Sequence, residues 1–174
     1  ARLRLVMTRP EPDGSVVDPV ARIVEYLDHF RSDVRRATDD LDAEQLSRRV
    51  VPSGWSVTEL VEHLVHMERR WIVWGFLGEG VVDAEADRDD AGRWTTDRSL
   101  DVLLDDLGAV GRRTAAVAAT HDALQTADGR GMFADTLERP TLLAILFHVM
   151  QEYARHLGHL DVARELIDGA TGET

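Results

Sequence analysis

Cysteine is absent from this chain. That gap excludes disulfides, a thiolate-ligated zinc site, a cysteine nucleophile and any thiol chemistry using the protein's own sulfur. Cationic side chains are scarce: 20 Lys and Arg stand against 32 Asp and Glu, a formal charge of −12. Proteins that bind nucleic acid gain affinity by neutralising phosphates with Lys and Arg, so nucleic acid is not an expected partner. No apolar run approaches the ~18 residues that cross a bilayer, and Ala1-Arg-Leu-Arg-Leu-Val6 is too short for a signal-peptide core. The expected location is therefore the cytoplasm, with no membrane partner. Stretches of period-two alternation and internal repeats are lacking as well, which argues against sheets and solenoids.

What remains is a chain of 174 residues, 44% hydrophobic and 30% charged, able to bury the core of one domain. Met7-Thr-Arg-Pro reads as a translational start, and residues 1–15 are expected to be a flexible extension ahead of a domain spanning 16–170. Asp18-Pro19 gives an N-cap followed by proline at the first helical position. Val20, Ile23, Val24, Leu27, Phe30 and Val34 then recur at helical spacing, so a first long helix is expected from Pro19 to Thr38. Asp42 to Leu46 adds a short helical turn before Pro52-Ser-Gly54 breaks the chain. Ser56 and Glu59 have the spacing of a capping box, opening a second long helix to about Leu77. Residues 78–96, with the acidic run Asp83 to Asp90, read as a solvated connection. A third long helix carries Leu100, Leu103, Leu104, Leu107, Val110, Thr114 and Val117 on one face. Gly108 and Gly111 cost it about 1 kcal/mol each relative to alanine, the mark of close packing or a bend. After a loop over 121–139, Pro140 opens a fourth long helix to about Ile167. Four amphipathic helices make an all-α protein, a four-helix bundle with its two long loops framing one end.

The segment with the most chemistry is Glu152-Tyr-Ala-Arg-His156-Leu-Gly-His159, within the last helix. Residues four apart lie one turn above each other, so Glu152 and His156 can converge on one ion, with His159 near them in angle a turn further on. A carboxylate and imidazoles on a partly inward face are costly unless paired or bound to metal. The same spacing also suits an intrahelical ion pair or a hydrogen-bonded core histidine. A chelate on one helix needs a partner from another. The second helix offers His63, which borders the packed face, and His66, which is expected to be exposed. His29 and His121 are expected at the surface, and His148 is either packed or close behind the site. Trp55, Trp71, Trp74 and Tyr153 suit either a substrate mouth or packing. Arg70 suits an anionic ligand or, more simply, an ion pair.

Ser53-Gly-Trp-Ser-Val-Thr-Glu-Leu-Val-Glu-His63-Leu, then Glu68-Arg-Arg-Trp71, and the closing Glu152 to Glu165 stretch resemble the DinB superfamily, and most of all its branch common in mycothiol-producing bacteria. The resemblance spans about residues 18–170. It implies a DinB-like four-helix bundle holding a divalent metal, zinc or nickel being the expected ions, through a histidine on the second helix and two residues four apart on the last. By position these are His63, Glu152 and His156. Glutamate at the position of Glu152 has a precedent in a mycothiol-dependent isomerase of the family. His159 replaces a glutamine common among relatives, which leaves it open as a fourth ligand, a catalytic acid/base group or a hydrogen-bond partner. The implied activity is that of a metal-dependent transferase or isomerase in which a low-molecular-weight thiol, mycothiol, is the cosubstrate and adds to an electrophile. His159 is the expected catalytic proton carrier. A metal-binding stress-response module without turnover and a metal-dependent hydrolase are the alternatives. Homodimerisation is expected through an apolar strip on the first or third helix. A di-iron site is not expected, because the paired Glu-x-x-His motifs it needs are missing.

Overall fold

The computed structural model describes residues 11–171. The translational start expected at Met7 lies outside these residues, as do the first ten residues of the expected extension. Residues that follow are tied to the first helix, since Arg22 donates to the Asp13 carbonyl and the Tyr26 hydroxyl lies 3.4 Å from a Glu11 carboxylate oxygen.

The fold is all-α. Helix α1 spans Pro19–Thr38, α2 is the short Ala43–Ser47, α3 is Val57–Arg69, α4 is Leu100–Thr120 and α5 is Leu142–Asp168. No strand occurs among the described residues, whose only extended pairings are the isolated bridges Arg88–Trp94 and Thr126–Thr141. None of their helices is long and apolar enough to cross a membrane.

Local chemistry sets the helix ends. The Asp18 carboxylate accepts from Ala21 N at 2.7 Å, satisfying an amide that the first turn leaves without an intrahelical partner. Ser56 and Glu59 close the expected capping box, with Ser56 N donating to Glu59 Oε2 at 2.7 Å and Glu59 N to Ser56 Oγ at 3.3 Å. Thr141 caps α5, so the helix begins two residues after Pro140, and Gly169 ends it with φ of 76°, a conformation that favours glycine. One boundary differs from expectation. Beyond Arg69 the second long helix widens into a π-helical segment, Arg70–Phe76.

Side-chain pairs reveal the helix directions. Along α3 and α5, Glu68 meets Tyr153 and Trp71 meets His148, so residue numbers rise on one as they fall on the other. Along α3 and α4 they rise together: Arg98 links Glu62 to Asp106, and Glu79 meets Arg113. Parallel neighbours cannot be joined by a tight turn, so the chain leaving α3 must run back along the bundle before α4 begins. Residues 77–99 make that return. They do not simply frame one end, as expected, because their middle lies against the early part of α3. Asp87 within them is fully buried, and Trp94 is half-buried.

Leu27, Val34, Leu60, Leu64, Leu103, Leu107, Ile145, Leu146 and Leu160 form much of the core. Within it sits one carboxylate, Glu68, with no exposed surface. Arg31 from α1 pairs with both its oxygens, Nε at 3.2 Å. The Thr114 hydroxyl from α4 and the Tyr153 hydroxyl from α5, the latter at 2.6 Å, also donate to it. All four long helices therefore meet on a single side chain. Burial and the Glu68 charge push the Tyr153 phenol well above its ordinary pKa, so it stays protonated as a donor. Gly111 makes room for the pairing: a Cβ there would lie 2.7 Å from Cζ of Arg31. The glycine in α4 thus reflects close packing.

Candidate metal centre

Helix α3 presents His63 about two turns after its capped start, and α5 crosses it with Glu152 and His156 stacked one turn apart. One ligand atom from each of these three side chains lies within 4.8 Å of the others. His63 and His156 are buried and Glu152 is half-buried. The two imidazole rings meet edge to face at 4.8 Å, and His156 Nε2 lies 3.3 Å from Glu152 Oε2.

The remaining nitrogens are held from behind. His63 Nδ1 lies 2.8 Å from Asp87 Oδ2, and Arg70 Nη1 lies 2.6 Å from Asp87 Oδ1. Burial alone would raise the Asp87 pKa, but the bonds from His63 and Arg70 and the Arg70 charge outweigh it and hold the carboxyl well below the ordinary range. A carboxylate cannot donate, so His63 carries its proton on Nδ1 and offers a lone pair at Nε2. On the other side, His156 Nδ1 faces His159 Nδ1 at 3.4 Å. Acceptors from His63 and Glu152 thus gather beside His156. A cation satisfies such a cluster, whereas a proton on His156 satisfies it only in part.

The donor set of two nitrogens and one oxygen suits a divalent transition ion. The state of His156 fits as well. Burial, and then the repulsion that two protonated rings would feel with His63 so near, lowers its pKa to about 4 despite the opposing carboxylate of Glu152. The imidazole is therefore neutral and able to coordinate at physiological pH. The same shift has a thermodynamic consequence. Because the folded pKa lies below the ordinary 6.5, the unfolded chain binds the extra proton between those two values. This contribution to the stability of the metal-free protein is complete above pH 6.5 and is lost as pH falls toward 4. Urea midpoints measured over that window should show a wild-type slope that His156→Gln lacks; equal slopes would contradict it.

Aromatic rings roof the site. Trp94 stacks on His63 at 4.2 Å with 17° between planes and touches His156 edge-on at 5.3 Å. Trp55 lies 6.0 Å from Trp94 and 6.1 Å from the exposed His159, forming an outer rim. Of the other aromatics considered for a mouth, Tyr153 is core. Trp71 packs on His148 at 4.1 Å, which leaves that histidine outside the group of three. Trp74 lies against Gly131, where a Cβ would come within 2.2 Å of the Trp74 carbonyl.

Two histidines depart from expectation. His66 is buried rather than exposed, because it bonds Glu62 at 2.9 Å under the returning chain, whose Thr96 and Arg98 also reach Glu62. His29 is buried too, flanked by the rings of Tyr26 and Phe30 and 3.3 Å from Asp33. His121 is half-buried against Phe76. Arg70 is committed to Asp87. The residues missed from sequence are Asp87 and Trp94. The signal available for Trp94 was a lone tryptophan in a polar stretch; Asp87 offered none among its acidic neighbours.

No curated protein matches the chain. A solved structure similar in fold is described as a conserved protein from Enterococcus faecalis; it shares 14% identity and a TM-score of 0.64, over 89% of this chain and 100% of that one. At that identity it speaks for the bundle alone. A family model described as Mycothiol-S-transferase matches residues 22–169, from the first turns of α1 to the glycine that ends α5. Since that match takes in every long helix and all the residues gathered at the centre, this chain belongs to the mycothiol-S-transferase family.

Proposed function

We propose that the protein is a metal-dependent transferase that joins the sulfur of mycothiol to an electrophilic carbon, with His63, Glu152 and His156 holding the ion. The observation that carries this reading is the convergence of three acceptor side chains on one point, in a chain whose family is described by thiol transfer. A divalent ion in such a place supplies positive charge that lowers the pKa of a bound thiol, and three protein ligands leave a position for it. With no cysteine of its own, the chain must take the sulfur from a cosubstrate.

The rest falls to the protein's side chains. Asp87 and Trp94 hold the His63 ring in place. The low pKa of His156 keeps its lone pair free of a proton. His159, exposed and 3.4 Å from His156, stands where it can accept the proton that the thiol gives up and pass it to solvent or to the product. In the net step the S–H bond breaks and an S–C bond forms as the carbon's C–halogen, epoxide C–O or alkene π bond breaks; the proton departs with the halide, or ends on the epoxide oxygen or on the other alkene carbon. Trp55 and Trp94 give the mouth an apolar rim suited to the electrophile.

Elemental analysis of protein purified without added metal should find one divalent ion per chain. Turnover of alkyl halides, epoxides and activated alkenes should require mycothiol. His159→Ala should retain the ion while its pH–rate profile loses one limb. Turnover without thiol would replace this reading with a hydrolase, and saturable thiol binding without turnover would replace it with a binding module.

A further inference from the structure

We infer that Asp87 is a positioning residue: held in place by Arg70, it fixes the proton of His63 on Nδ1 and so turns the Nε2 lone pair toward the ion. The inference rests on the reading of His63, Glu152 and His156 as metal ligands.

The return of residues 77–99 along the bundle carries several acids, yet only one is spent inward. Asp89 serves its own turn, accepting from Ala91 N and Arg93. Asp83, Glu85 and Asp90 are exposed. Asp87 is fully buried; its Oδ1 accepts from Arg70 Nη1 at 2.6 Å, and its Oδ2 lies 2.8 Å from His63 Nδ1 with Arg70 Nη2 more distant at 3.5 Å. Arg70 is itself anchored, since Nη1 also donates to the Ala84 carbonyl at 2.8 Å. It stands seven residues beyond His63 on the same helical run, two turns along, and so braces the carboxylate from the same side. If tethering the loop were the whole task, Arg70 alone would serve. The oxygen 2.8 Å from the imidazole adds something different, a fixed tautomer. Trp94, stacked on the His63 ring at 4.2 Å, opposes tilting of that ring. Between them, rotation and tilt of His63 are both restrained before any ion arrives. Partners of this kind behind a ligating histidine are worth about 10–100-fold in metal affinity.

The test uses the full chain, with Zn²⁺ as the probe. Competition against a chromogenic chelator should show Asp87→Ala binding zinc about 10–100-fold more weakly than wild type, with Asp87→Asn between them because its amide oxygen can still accept one bond. Nitrogen-15 NMR of the metal-free proteins supplies a second readout. His63 should appear as the Nδ1–H tautomer in wild type and as a mixture, or as Nε2–H, in Asp87→Ala. Asp89→Ala, which loosens the same loop, should change neither. A loop tether without a positioning role would leave the tautomer as in wild type, and that result, or an unchanged zinc affinity, overturns the inference. Should wild type itself take up no zinc, the metal reading fails separately, while the tautomers still decide whether Asp87 sets His63.

Discussion

Replacing Arg31 with leucine will destabilise the protein by about 3–5 kcal/mol, the usual cost of leaving one member of a buried ion pair without its partner. Glu68 would remain in the interior with only the hydroxyls of Thr114 and Tyr153 for company. Neither hydroxyl can neutralise it, because the buried phenol holds its proton. The space that Gly111 leaves for the guanidinium would also stand partly unfilled. In urea unfolding the midpoint should fall with little change of slope. Replacing both members, Arg31→Leu with Glu68→Leu, should recover most of the loss, since an apolar pair carries no uncompensated charge. A single-variant loss below about 1 kcal/mol, typical of exposed pairs, would mean that the network does not couple the four helices.

The second large effect should appear in function with little change in stability. Glu152→Gln keeps the shape of a half-buried side chain and removes the one anionic donor of the group. Zinc affinity and mycothiol-dependent turnover should fall together by more than about 100-fold, beyond what loss of a supporting hydrogen bond costs. Stability of the metal-free protein should move by less than about 0.5 kcal/mol, as for substitutions away from the core. Glu152 Oε2 lies beside His156 while Oε1 pairs with the exposed Arg155 at 3.3 Å, and a pair of that kind is worth little, so an amide that can donate to His156 should roughly offset its loss. A variant that keeps wild-type metal content would remove Glu152 from the ligand set. One that unfolds would make it a structural residue.

Much of the fold could be read from the residues because the helices announce their own ends. Asp18-Pro19, the Ser56/Glu59 box and Gly169 act through local hydrogen bonds and backbone preference, so no distant contact was needed to place them. Glu152 and His156 were legible for the same reason, since the helix itself puts them one turn apart. His63 required only the further inference that its helix turns that side inward. What stayed hidden depends on direction. Whether α3 and α4 run parallel or antiparallel leaves no mark on either helix, and that choice decides where residues 77–99 travel. Asp87 reads like Asp83 or Asp90 until the path is known. His66, expected to face water, is covered by the same path together with its partner Glu62. The interior charge of Glu68 was obscured for another reason: its partners lie 37, 46 and 85 residues away in sequence, and nothing in its own neighbourhood signals them.

The backward path from α3 to α4 makes chain length a control on chemistry. From Phe76 back to His63 is a distance of about 20 Å along the helix, which about six fully extended residues can span. The stretch from Leu77 to Asp87 therefore has slack, and the slack is taken up by turns before Asp87 reaches its histidine. Deletions there would tighten the strap and drag the carboxylate out of register, whereas insertions would let it drift. Either would change how His63 is held without touching His63, Glu152 or His156 themselves, so the length of this connection would act on the proposed centre while the helices stay the same.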